Sequence, residues 1–505
     1  MIPQACMLLL LALSVPQATA TQAIERGRAV YDKWCWWCHG QDGAGDGPAA
    51  AYQRPKPRDF TLGIYKFKTT QGNTPPSDAD IMHVIAEGLP GTAMPGWKDR
   101  INEQQRHDLV TLLKTFSDIF QYEKPGPVVS YAGEPPATPE LIAAGKEVFR
   151  KAKCYECHGK TGKGEPSKRL KDDWEDQIWP RNLTKPWTFR GGRKVRDIFT
   201  RVTLGIPGTP MLAFGDPGKK EALDEKERWE VAHYVASLAE PALRPDPGEN
   251  VIRGVYVAGD LPTAPAAAAW AEAPPASFRL APQIIAAERF FTPLNDAITV
   301  RALYNDAEIA LLIEWDDRTP SRPGDKAQAK LISGTLYADA VAAQFPATAL
   351  TGLERPYFGH GDASHPVEVW YWAAGALGEE QRSAIFEMKG VGSRTAGGAG
   401  EPRFSAKGEF EAGTWRVVFR YRRQPAGDGA HFESDSFVPV AFANWDGSNG
   451  EAGSKHTLTR WVWLWLAPQA SLKVVYVPAG VALMLGGILF RLSARARRTQ
   501  DEEGG

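Results

Sequence analysis

Two hydrophobic textures divide this chain. Between about residues 22 and 240, apolar positions recur at helical spacing in short stretches set between Gly- and Pro-rich loops. Leu109, Leu112, Leu113 and Phe116 share one helical face, and Trp229, Ala232, Ala236 and Ala239 share another. From about 250 to 468 the runs become β-rich, at 297–303, 308–315, 367–372, 414–421, 436–443 and 457–466, with Gly, Pro and Asp clusters between them. Last comes Val474 to Phe490, which is uncharged, preceded by Lys473 and followed by Arg491, Arg495, Arg497 and Arg498. Seventeen residues at 1.5 Å rise span about 25 Å, the short end for a membrane helix. The pattern predicts a multidomain chain: two all-α domains at 22–123 and 140–240, then an all-β sandwich at 250–468. It also predicts a transmembrane helix at 472–492 and a basic cytoplasmic tail at 493–505.

The first two units are an internal repeat. Gly27, Val30 and Tyr31 answer Gly145, Val148 and Phe149. Pro57-Arg58-Asp59-Phe60-Thr61 answers Pro180-Arg181-Asn182-Leu183-Thr184. Gly88-Leu89-Pro90-Gly91-Thr92-Ala93-Met94 answers Gly205-Ile206-Pro207-Gly208-Thr209-Pro210-Met211. A Pro-rich linker at 124–139 separates the copies.

Composition narrows the class without deciding it. At 505 residues, 43% hydrophobic and 24% charged, the chain is too long for one core and ordinary for a folded protein. A net charge of −1 gives no electrostatic case for nucleic acid. Residues 1–20 read as a secretory signal ending in Ala18-Thr19-Ala20, although no Lys or Arg precedes the apolar run.

Cysteine placement carries the chemistry. Of the five Cys, Cys6 lies in the signal segment, and the rest form Cys35-Trp36-Trp37-Cys38-His39 and Cys154-Tyr155-Glu156-Cys157-His158. C-x-x-C-H is the attachment motif of c-type haem: Cys35, Cys38, Cys154 and Cys157 bond the porphyrin, and His39 and His158 ligate iron. A zinc ribbon would need its Cys pairs far closer than Cys38 and Cys154 stand. The repeated Met94 and Met211 are the expected sixth ligands, and Met/His pairs suit electron transfer. Two covalent haems c are therefore expected, with no coordination position left for substrate. Export to the periplasm is the context that such attachment calls for.

These two units resemble class I cytochrome c modules. The β-rich part resembles the haem-b-binding domain of the ethylbenzene dehydrogenase γ-subunit family, through Tyr304-Asn305-Asp306-Ala307-Glu308, Glu314-Trp315-Asp316-Asp317, Phe358-Gly359-His360-Gly361-Asp362 and Asn444-Trp445-Asp446-Gly447-Ser448-Asn449-Gly450-Glu451. That resemblance implies one non-covalent haem b held between a Met and a Lys. The matching positions here are His360 and Lys455, with His365, His431, His456 and Met388 as fallback ligands. It further implies an electron-transfer subunit, itself not an enzyme. Such a subunit would partner the catalytic and iron–sulfur subunits of a molybdenum oxidoreductase and exchange electrons with respiratory carriers. The C-terminal apolar run, read as a helix, would make it a single-pass protein of the bacterial cytoplasmic membrane with the haem domains in the periplasm. The alternatives are a catalytic haem enzyme of peroxidase or nitrite reductase type, and a dihaem cytochrome with a ligand- or partner-binding sandwich.

Overall fold

The computed structural model describes residues 20–284, 286–287, 289, 295–348, 350, 354–396, 403–423, 429–468 and 473–503. The expected signal segment, apart from Ala20, lies outside them.

Each of the first two modules is built on two crossing helices. Ala20–Trp34 crosses Glu103–Leu113 in the first, and Pro139–Lys151 crosses Glu225–Ser237 in the second. The repeated glycine makes the crossing possible. A Cβ on Gly27 would lie 2.4 Å from the Asp108 carbonyl oxygen, and one on Gly145 2.0 Å from that of Glu230. Any side chain there would hold the helices apart. Leu109, Leu112 and Leu113 are buried at the first crossing, Trp229 and Ala232 at the second. Asn102, Thr138 and Asp224 cap three of these helices, each side chain accepting from a backbone N–H in the first turn. The Cys motifs ride on single turns, Trp36–His39 and Tyr155–His158.

The modules are only partly helical, which corrects the all-α class expected for them. Residues 40–76 and 159–194 run as loops and isolated turns, with a hairpin between Leu170–Lys171 and Gln177–Ile178 in the second module. Side chains there take over the role of helical carbonyls. Asp59 accepts from the Thr61 N–H, Asn182 from that of Thr184, and Asp172 from those of Trp174 and Asp176.

The β-rich part forms one continuous, barrel-like sheet, which corrects the two-sheet sandwich. Its strands run in the order Thr395–Ala396, Arg382–Met388, Val367–Ala373, Ala340–Pro346, Phe437–Trp445, Val462–Leu466, Val251–Tyr256, Ala297–Tyr304, Glu308–Asp316, Thr414–Arg422 and Phe404–Glu411. Phe437–Trp445 makes the join, because it is long enough to serve both halves. Its residues 437–440 pair with Val462–Leu466 and its residues 441–445 with Ala340–Pro346. Trp315, Trp370, Trp372 and Trp415 fill the enclosed core, and Trp315, Trp372 and Trp415 meet one another edge to face or stacked.

At one end of this sheet, oxygens of Asp317, Asp339 and Asp446 lie within 4.8 Å of one another. They tie three strand ends together. Asp339 accepts from the Ser321 N–H, the Trp415 indole and the Gly447 N–H, and Asp446 accepts from Ser448 and Asn449. Burial, reinforced by the like charges of its neighbours, pushes Asp317 well above the usual carboxylate range, and Asp339 likewise.

The C-terminal segment does fold as a helix, Lys473–Glu503, but no helix among the described residues is long and apolar enough to cross a membrane. The expected transmembrane helix is corrected accordingly. The apolar run holds Pro478, Gly480, Gly486 and Gly487, and the helix passes directly into its Arg-rich part. At about 25 Å the run also falls short of a hydrocarbon core about 30 Å thick.

Candidate haem-binding sites

The two Cys motifs sit in matching surroundings. Cys35, Cys38, Cys154 and Cys157 are all free and partly buried. Burial pushes the Cys35 and Cys154 thiols up to about 12, opposite to the lowered value that a reactive redox dithiol needs. The backbone N–H of His39 and of His158 bonds back to the carbonyl of the first Cys of its motif, at 3.0 and 2.9 Å. This turn brings both sulfurs and the imidazole together.

Each imidazole is then oriented by the repeat. His39 Nδ1 lies 3.0 Å from the Arg58 carbonyl oxygen, and His158 Nδ1 lies 2.9 Å from that of Arg181. A carbonyl only accepts, so Nδ1 carries the proton and Nε2 keeps its lone pair for iron. Burial lowers both histidines, which keeps the rings neutral. Sequence reading missed Arg58 and Arg181, although the repeated Pro-Arg-Asp/Asn was a visible signal.

The Met loops match as closely. The Met94 N–H bonds Thr92 Oγ1 at 3.1 Å and the Met211 N–H bonds Thr209 Oγ1 at 3.2 Å, while each Thr hydroxyl donates to the carbonyl of Leu89 or Ile206. Gly91 and Gly208 hold positive φ of 67° and 72°, the left-handed geometry that this turn requires.

The segments that orient the histidines also join the modules. The Arg58 guanidinium and the Lys66 ammonium each lie 4.7 Å from the ring centroid of Trp174 in the second module. A Cβ on Gly208 would meet the same ring at 2.7 Å. Trp174 is thus held between the histidine-orienting segment of the first module and the Met211 loop of the second. One module further on, Asp316 ends a strand of the β domain. It accepts from Asn182 Nδ2 at 2.7 Å and pairs with Lys185 at 3.2 Å and Lys163 at 3.4 Å. Asn182 and Lys185 flank the turn that follows Arg181.

The β domain carries an open, mostly apolar cleft. It opens on the face of the sheet turned away from the Trp core. Its floor is small: Ala342 pairs with Ala443 and Gln344 with Ala441, and all four line the cleft. His360 lines it from a loop, in left-handed backbone at φ 67°, with Nδ1 3.1 Å from Gln344 Oε1. His456 lines it from the segment that leads into Thr457–Leu458, packed against Trp445 at 4.7 Å, with its buried Nδ1 free of any hydrogen bond. Burial, with His360 adding its field, lowers His456 to about 4. Lys455 does not line the cleft; its Nζ turns to the Asn449 carbonyl oxygen at 3.4 Å. This donor set would suit a flat, apolar cofactor held through imidazole. The half-buried lysine, by contrast, is not presented to it.

Comparison with known proteins agrees with this division. Residues 24–117 and 142–239 match the cytochrome c family, and residues 267–402 match the ethylbenzene dehydrogenase family. A chlorate reductase subunit gamma of Ideonella dechloratans is 27% identical over 217 residues, 43% of this chain and 84% of that protein. A Haloferax mediterranei protein, provisionally named a respiratory nitrate reductase heme subunit, is 25% identical over 213 residues, 41% of this chain and 68% of that one. A chain of the Kuenenia stuttgartiensis reducing HAO-like protein complex is 39% identical, with 43% of this chain and 96% of that chain covered and a TM-score of 0.40. With two C-x-x-C-H turns held in duplicate by Arg58 and Arg181, the chain is a multihaem electron-transfer protein, in which tandem cytochrome c modules that take covalent haem c are joined to a domain of the ethylbenzene dehydrogenase family.

Proposed function

We propose that this chain is the relay subunit of an oxidoreductase complex, one that would take two haems c and one haem b. In this reading Cys35 and Cys38 hold the first haem c, with His39 and Met94 on its iron. Cys154 and Cys157 hold the second, with His158 and Met211. The haems supply reversible one-electron chemistry when bound. The protein orients each ligand: the carbonyls of Arg58 and Arg181 set the imidazoles, and the hydroxyls of Thr92 and Thr209 set the Met loops. If His39 with Met94 and His158 with Met211 held the irons, no position would remain for a substrate, and the subunit would carry electrons without being itself an enzyme.

The observation that carries this reading is the chaining of the modules. The segment that orients each histidine is the one that grips the next module, Arg58 on Trp174 and Asn182 with Lys185 on Asp316. Such a design would fix the modules relative to one another. Molybdenum-enzyme catalytic and iron–sulfur subunits at one end, and respiratory electron carriers at the other, are the partners that fit. The likeness to the chlorate reductase subunit gamma supports that choice. An exported, periplasmic setting suits covalent haem attachment.

A pyridine haemochrome spectrum taken before and after acid–acetone extraction tests the inventory. Two haems c retained for each haem b extracted is the expected result. Carbon monoxide should leave the c-type spectra of the reduced protein unchanged. Its binding to either haem c would overturn the six-coordinate assignment and favour a catalytic cytochrome.

A further inference from the structure

We propose that the haem b of the β domain is held between two histidines, His360 and His456, and not between His360 and Lys455. The proposal rests on the reading that the cleft takes haem b. Both imidazoles line one cleft from separate elements, over a floor of Ala342, Ala441 and Ala443. Larger residues there would fill the space that a macrocycle needs.

Neighbours in sequence diverge here for a simple reason. Ser454, His456 and Leu458 line the cleft at alternate positions, as extended backbone places them, with Thr459 beside them. Lys455 turns elsewhere, its ammonium facing the Asn449 carbonyl oxygen in the turn from Asp446 to Gly450.

Each imidazole is prepared for the role. His360 sits in left-handed backbone, a conformation that is costly for a residue with a Cβ, and it faces the cleft with its Nδ1 held by Gln344. That contact leaves Nε2 as the ligating nitrogen. His456 is 6% exposed and braced by the Trp445 ring. Two imidazoles lack the thioether that raises the potential of a Met/His pair, so the haem b becomes the low-potential end of the relay.

The test uses the full-length, haem-loaded protein and three variants: His360→Ala, Lys455→Ala and His456→Ala. Near-infrared magnetic circular dichroism and electron paramagnetic resonance of the wild-type ferric haem b should carry the signature of two imidazoles. Lys455→Ala should keep the full haem b content and that signature. His360→Ala and His456→Ala should each lose haem b or turn it five-coordinate, with added imidazole restoring the low-spin spectrum. The haem c bands of the same samples report whether each variant is folded. An amine signature in the wild type, or loss of haem b from Lys455→Ala but not from His456→Ala, would overturn the bis-histidine assignment alone. A wild-type protein without extractable haem b would overturn the haem b reading as well. In a redox titration the haem b should reduce below both haems c; reduction above them would count against the pair.

Discussion

Replacing Asp316 by Asn should loosen the second cytochrome module from the β domain. Asp316 is buried, and burial alone would push its carboxyl up, yet Lys185 and Lys163 outweigh that and hold it at about 2. A carboxyl at about 2 instead of its ordinary 3.8 corresponds to about 2.5 kcal/mol of stabilisation at neutral pH. Removing the charge also takes the nearest carboxylate from two largely buried ammonium groups, with side chains 10% and 11% exposed. Lys185 is left with Asp296 at 4.0 Å and Lys163 with Glu240 at 3.9 Å, so the loss extends toward about 3 kcal/mol. Because the folded value is depressed, this stabilisation is complete above the unfolded value and is lost as the pH falls through about 2. About half of the 2.5 kcal/mol should be gone at pH 3. Denaturant unfolding followed at the haem c Soret band and at Trp emission reads both modules in one sample. Asp316→Asn should unfold at lower denaturant, with the two signals separating, and its deficit should shrink between pH 5 and pH 3. A deficit below about 0.5 kcal/mol, or one that does not change with pH, would refute the reasoning.

Other sites make separate predictions. Trp174→Ala should slow electron exchange between the two haems c, measured by flash reduction, while leaving both haem spectra intact; an unchanged rate would remove Trp174 from the connection. Met211→Ala should open one iron to carbon monoxide and leave the other closed, detected as half of the c-type haem shifting its spectrum. Gly145→Ala should destabilise the second module by about 1–3 kcal/mol in a thermal melt, because its Cβ would lie 2.0 Å from the Glu230 oxygen. Asp317→Asn should be no more stable than wild type at pH 4 but about 1 kcal/mol more stable at pH 8. The wild-type carboxyl, raised by burial, contributes stability below its unfolded value that is lost as the pH rises through its folded value.

The covalent chemistry was legible in the chain itself. C-x-x-C-H is a local motif: its turn brings both sulfurs and the imidazole together with no help from distant residues. Duplication then pointed to Met94 and Met211, because a loop that recurs with its glycines and its threonine marks a shared task. The strands at 297–303, 308–315 and 414–421 were also readable, since their β-rich runs are bounded by turn residues. Ala340–Pro346 was not, because it is buried throughout and rich in alanine, so no alternation marks it.

Tertiary structure decided what depends on placement between distant residues. No periodicity shows that the Arg58 and Arg181 carbonyls, 19 and 23 residues from their histidines, would set the tautomer. Nor does local sequence choose between Lys455 and His456 in facing the cleft. That choice follows from the pairing of Thr457–Leu458 with Phe437–Trp445, which fixes the side of the sheet on which each residue emerges. A motif can name the chemistry of its own side chains, but register and docking assign their neighbours.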